Sequence, residues 1–214
     1  IVVFGFVGLL VLAPLRLANV RTSAEVQADR DDARPFREII TQPKFIIALT
    51  CAVGSYALMS FVMTGAPLAM VGCGFSVNEA TLGIQWHVLA MFGPSFFTGQ
   101  LINRFGKERI IASGLIILIA CALVAMAGIQ LWNFWLSLIL LGLGWNLGFI
   151  GSTSLFTETY RLSEKGKVQG FHDFVLFDSV AMSSLFAGKI LHQFGWNTVN
   201  FVVFPVVVVC LAAL

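Results

Sequence analysis

The chain has 214 residues, of which 58% are hydrophobic and 11% charged, with a formal net charge of +2 and a mean hydropathy of +0.89. Soluble domains carry about 25% charged residues, so this composition excludes an ordinary water-soluble fold. No nucleic-acid partner is expected either, because the basic residues are confined to short segments between apolar runs and form no patch.

The opening run, 1–15, has neither the basic leader nor the small-residue cleavage site of a signal peptide. It reads as the end of a preceding transmembrane helix, and the chain as a piece of a longer protein. Residues 16–44 form a charged linker with six basic and five acidic residues. It is read as a connector in solvent or at the membrane surface, or as a segment that binds a partner.

From residue 45 onward, six apolar runs approach the ~20 residues that a spanning helix needs. They cover 45–71, 82–102, 110–130, 133–156, 171–191 and 198–214, the last cut short. Twelve of the 13 Lys and Arg residues fall in three stretches, Arg16 to Lys44, Arg104 to Arg109 and Arg161 to Lys167. The links between them, around Gly72–Thr81, Gln130–Asn133 and His192–Asn197, carry no Lys or Arg. Basic loops remain on the cytoplasmic side, so the alternation predicts an all-α membrane protein with a six-transmembrane-helix bundle over 45–214. Lys189 is the exception and can snorkel to the outer interface. Trp132, Trp135 and Trp196 fall near the external ends, where an interfacial aromatic belt would lie.

Gly65 with Pro67, and Gly93 with Pro94, predict kinks in the first and second spans, because proline removes a backbone donor and clashes with the preceding turn. In the fourth span, Gly144 and Gly148 have a GxxxG spacing that permits close helix approach. The same stripe could serve as a sliding surface. Cys51, Cys73, Cys121 and Cys210 have no CxxC or Cys/His spacing and read as packed free thiols; no metal or cofactor is expected.

The loop after the second span reads Gly99-Gln-Leu-Ile-Asn103-Arg104-Phe-Gly106-Lys107-Glu-Arg109. It resembles the loop signature of the major facilitator superfamily, G-x-x-x-D-R-x-G-R-[KR]-[RK], with Asn103 where the family usually has Asp. The stretch Thr157 to Tyr160 and Lys165 to Phe174 resembles a segment of bacterial facilitator-type transporters. These resemblances imply the C-terminal six-helix half of such a carrier, helices seven to twelve plus the tail of helix six. They imply alternating access against an N-terminal half of the same polypeptide, a small-molecule substrate, the lipid bilayer as surroundings and a bacterial inner membrane. They also make Gly99, Asn103, Arg104, Gly106, Lys107 and Arg109 a cytoplasmic gate latch, with Asp173 as a further gate residue.

Ionisable residues inside a membrane are functional candidates by default. Asp178 lies ~15 Å of helical rise beyond the third basic loop, near mid-bilayer. An apolar setting there would disfavour the bare carboxylate, so Asp178 is the candidate for proton coupling or substrate anchoring. In the implied fold the first and fourth spans line the cavity, which makes Tyr56, Ser60, Thr64, Trp145 and Asn146 candidates for substrate contact. His87 in the second span is another, and Glu158 is expected to pair with a basic loop. A non-transporting membrane scaffold or receptor that keeps the fold is the alternative. Nothing in the sequence resembles a catalytic set, so no enzyme is expected.

Overall fold

A computed structural model describes residues 33–214, and among these every regular element is a helix. The readings of 1–15 as the end of a preceding helix, and of 16–32 as linker, lie outside the described residues. The elements are α1 (Phe36–Ile40), α2 (Pro43–Gly72), α3 (Val77–Phe92), α4 (Ser95–Phe105), α5 (Lys107–Met126), α6 (Leu131–Phe156), α7 (Lys165–Phe201) and α8 (Val203–Ala213). Among the described residues four helical stretches are long and apolar enough to cross a membrane: Pro43–Gly72, Lys107–Met126, Leu131–Phe156 and Lys165–Ala213.

The last stretch contains two spans. Gly195 interrupts it with φ 80° and ψ 176°, a backbone region that L side chains with a Cβ rarely enter. Beyond it the chain reverses. Trp196 Nε1 donates to Ala125 O at the far end of α5 (3.1 Å), whereas Cys210 Sγ lies 3.6 Å from Thr50 O, near the start of α2. The brief interruption between α7 and α8 has a different cause. Val202 keeps helical angles (φ −60°, ψ −24°), and Pro205, four residues after Phe201, has no N–H to give its carbonyl. The remaining predicted span is the α3–α4 pair, divided at Gly93–Pro94. Among the described residues, each of the six predicted runs is thus helical.

Of the two expected kinks, only Gly93–Pro94 interrupts a helix. α2 continues through Pro67 from Pro43 to Gly72.

α6 is the central helix, packed against α5, α2 and α3. Glycine makes this possible. A Cβ on Gly114 of α5 would lie 2.3 Å from the Gly148 nitrogen and 2.7 Å from the Gly144 carbonyl oxygen. A Cβ on Gly142 would lie 2.5 Å from the His87 carbonyl oxygen of α3. The GxxxG stripe therefore serves packing in this structure. With lipid rather than water around the bundle, such contacts and interhelical hydrogen bonds supply the association energy.

Candidate functional site

Among the described residues, the three basic segments predicted to share one side of the membrane meet at one end of the bundle. Glu158, just past α6, bridges Lys44 at the start of α2 and Lys107 at the start of α5. Lys107 Nζ also donates to Ser154 O at 2.9 Å, as cations near a helix C-terminus tend to do. These lysines hold the Glu158 carboxyl below its ordinary range, Lys107 contributing most. A second ionic contact has no counterpart in the sequence reading. Arg34 donates from Nε and Nη2 to the two carboxylate oxygens of Glu164, each at 2.8 Å. Its backbone N–H adds a 3.0 Å bond, and the Arg161 N–H a further one at 2.8 Å. The Arg34 guanidinium first, and then these N–H donors against the cost of burial, pull the Glu164 carboxyl down to about 2.

The loop signature divides into parts. Gly106 turns the chain with φ 89°, and Lys107 joins the Glu158 bridge. Asn103, Arg104 and Arg109 are exposed, and the Arg104 guanidinium lies 5.3 Å from the Phe105 ring. Nothing lies within 4 Å of where a Gly99 Cβ would be, so no neighbouring helix among the described residues approaches closely there. Asp173 does not reach Lys165 or Lys167; its carboxylate meets His172 Nδ1 at 3.0 Å, and the His172 ring packs at a tilt against Phe156 with centroids 4.3 Å apart.

Deeper in the bundle the cavity candidates separate into two groups. Tyr56 and Trp145 belong to an aromatic wall. Trp145 and Phe149, one helical turn apart on α6, stack with centroids 5.0 Å apart and planes 16° from parallel. Tyr56 packs against both, at 5.5 and 5.0 Å, and exposed Phe177 and Phe92 flank the group at 6.4 Å from Tyr56 and 6.3 Å from Trp145. The indole Nε1 of Trp145 is buried and has no hydrogen-bond partner, although buried polar groups are normally paired. Ser60 bonds Ser184 Oγ at 2.7 Å, tying α2 to α7, and Thr64 is half-buried further along α2.

His87 and Asn146 are placed differently from what was expected. Both are 0% exposed. His87 Nδ1 lies 2.9 Å from Leu138 O, at the α3–α6 contact. Asn146 spends its amide on the α3–α4 junction, donating from Nδ2 to Met91 O and Ser95 Oγ and accepting at Oδ1 from Thr98. Adjacent residues on a helix point about 100° apart, so Trp145 can face the wall while Asn146 faces α3 and α4. Asp178 is exposed, without a hydrogen-bond partner among the described residues. The apolar burial expected around it is not supplied by these helices.

Sequence reasoning missed Phe149, Phe92 and Phe177 as wall members. The i, i+4 spacing of Trp145 and Phe149 was the available signal. It also missed Arg34 and Glu164, which lie far apart in sequence and carry no motif.

A profile of the Major Facilitator Superfamily matches residues 1–183 and 95–214. The chain is 52% identical over 212 residues to a protein of Brucella anthropi named riboflavin transporter RfnT, covering 99% of this chain and 53% of that protein. It is 30% identical over 192 residues to the uncharacterized MFS-type transporter YdeG of Bacillus subtilis, covering 87% of this chain and 45% of that protein. A lysosomal dipeptide transporter, MFSD1 of Homo sapiens, is 26% identical over 162 residues, covering 72% of this chain and 33% of that protein. The chain thus spans about half the length of the curated relatives it matches most fully.

Proposed function

Because this chain belongs to the major facilitator superfamily, we propose that it forms the C-terminal half of a secondary carrier that moves a riboflavin-like solute across a bacterial inner membrane. Facilitator halves rock against each other around a site near the bilayer midplane, and the partner half would lie upstream in the same polypeptide.

The observation that carries the substrate assignment is the near-parallel Trp145–Phe149 pair, with Tyr56 against both rings. Stacked aromatic faces favour flat π-systems, and a tricyclic flavin ring is of that kind. The unpartnered Trp145 N–H could donate to a ring carbonyl once the flanking Phe92 moves aside. The relative named as a riboflavin transporter supports the same class. Asp178, exposed and next to Phe177 at the edge of the wall, is the candidate for coupling flux to protons. Asp173 and the Gly99–Arg109 loop would belong to the gate on the cytoplasmic side, together with the Lys44–Glu158–Lys107 bridge.

The test is uptake of labelled riboflavin by proteoliposomes containing the full-length protein, with and without an imposed pH gradient. Uptake above empty vesicles, reduced by Trp145→Ala, is expected. Transport of other solutes but not riboflavin would refute the substrate class, and no transport of any solute would refute the carrier. Unchanged proton-driven uptake in Asp178→Asn would remove Asp178 from the coupling step.

A further inference from the structure

The second span is two helices, and the junction between them is more than a proline kink. Helical hydrogen bonding ends with the Gly93 N–H to Leu89 O (2.8 Å) and resumes with the Phe97 and Thr98 N–H groups, both donating to Pro94 O (2.8 and 2.9 Å). Pro94 has no N–H to offer the Ala90 carbonyl. Gly93 itself keeps helical angles (φ −55°, ψ −48°), so the break begins at the proline.

Asn146 reaches this junction from α6. Its Nδ2 donates to Met91 O on α3 and to Ser95 Oγ on α4, each at 2.7 Å. Its Oδ1 lies 2.5 Å from Thr98 Oγ1, whose single proton is shared with Pro94 O at 2.9 Å. One fully buried amide therefore holds both sides of the break. Inside a membrane, carbonyls released by a break must find partners within the protein, and Asn146 meets part of that need. The same bonds also fix the direction in which α4 leaves α3. α4 leads directly into Gly106 and Lys107, and so into the bridge that closes the basic end.

We propose that Asn146 is a positioning residue that pins a hinge at Gly93–Pro94, so that the swing of α4, and with it the 104–109 loop, is set from α6. The solute used in the test rests on the carrier reading above, but the hinge is read without flux.

In the full-length protein with Cys73 and other reactive cysteines replaced, spin labels are placed at Gln100→Cys on α4 and Thr157→Cys past α6, both exposed positions. Pulsed dipolar spectroscopy in lipid nanodiscs then measures the distance distribution. The wild type is expected to give a narrow distribution. Asn146→Leu and the near-isosteric Thr98→Val should broaden it, and Thr98→Ser should restore it. In the same variants maximal riboflavin flux should fall about tenfold, while equilibrium riboflavin affinity stays within about threefold. A residue with only a structural role would lower the yield of folded protein without altering the distribution of the folded fraction. Identical distributions in wild type, Asn146→Leu and Thr98→Val overturn the proposal. If the wild type moves no riboflavin and the variants still broaden the distribution, the hinge stands and the substrate assignment fails.

Discussion

Arg34 grips Glu164 through two parallel side-chain bonds of 2.8 Å, across 130 positions of sequence. The contact fastens the segment before α1 to the loop before α7, and Phe36 adds an edge contact to Phe171 at 5.4 Å. The fork geometry of guanidinium against carboxylate is the strong form of such a pair, and the Glu164 side chain is only 2% exposed.

This pair has a definite pH signature. The folded Glu164 carboxyl sits at about 2, below its ordinary 4.5. A depressed folded value contributes stability above the unfolded value and loses it as pH falls toward the folded one. Docking of the linker should be constant from neutral pH down to about 4.5 and weaken between about 4.5 and 2. A shift of this size corresponds to about 3 kcal/mol. Glu164→Gln should therefore speed tryptic cleavage after Arg37 by at least about tenfold at neutral pH, measured by limited proteolysis of the full-length protein. An unchanged cleavage rate would mean that the pair does not hold the linker.

The Lys44–Glu158–Lys107 bridge should behave differently, because the Glu158 side chain is 42% exposed. Solvent screening limits such pairs to about 0–1 kcal/mol. Its carboxyl is also held low, so its contribution is likewise present above the ordinary carboxylate value and lost below it. Glu158→Gln is expected to lower the melting temperature slightly at low salt and not at all at about 0.5 M salt. A thermal scan at the two ionic strengths checks this.

Gly114 and Gly188 form a contrasting pair. An alanine methyl at Gly114 would meet the Gly148 backbone at 2.3 Å, whereas nothing lies within 4 Å of a Cβ at Gly188. Gly114→Ala should force α5 and α6 apart at a cost of about 1–3 kcal/mol. Gly188→Ala should be neutral or stabilising by up to about 1 kcal/mol. Parallel heating of both variants, followed by size-exclusion detection of the remaining monodisperse protein, separates the two outcomes.

Trp145→Phe separates stacking from hydrogen bonding on the wall. It keeps an aromatic face against Phe149 and removes the indole N–H. Loss of one donor to a neutral carbonyl is worth about 1 kcal/mol, so the riboflavin KM should rise about fivefold with maximal flux little changed. Trp145→Ala should raise KM further. Equal KM values for wild type and Trp145→Phe would exclude the N–H from substrate contact.

The membrane spans were legible because lipid imposes a length and an apolarity on each helix regardless of its neighbours. The chain reversal near His192–Asn197 was readable from composition, and Gly195 proved to be the residue that makes the turn. The loop 103–109 carried its own turn residue at Gly106. Neighbour relations were less legible. Asn146 looked like a cavity residue because a polar amide in an apolar helix has no address in the sequence, and its hydrogen bonds to Met91, Ser95 and Thr98 exist only once α6 lies across the α3–α4 break. The contact of His87 with Leu138 O likewise exists only once α3 and α6 meet.

By itself, then, the sequence pointed to a six-span membrane bundle of the facilitator type with its basic segments sorted to one side of the membrane. The spans and the sorting of basic segments follow from composition and charge, which act segment by segment, whereas the facilitator type rests on the resemblance of the Gly99–Arg109 loop to that family's signature. The tertiary structure alone decided which face of α6 carries the aromatic wall, which buried amide clasps the broken helix, and which carboxylate anchors Arg34. Each of these depends on two helices meeting at one angle and distance, which single-helix periodicity does not encode.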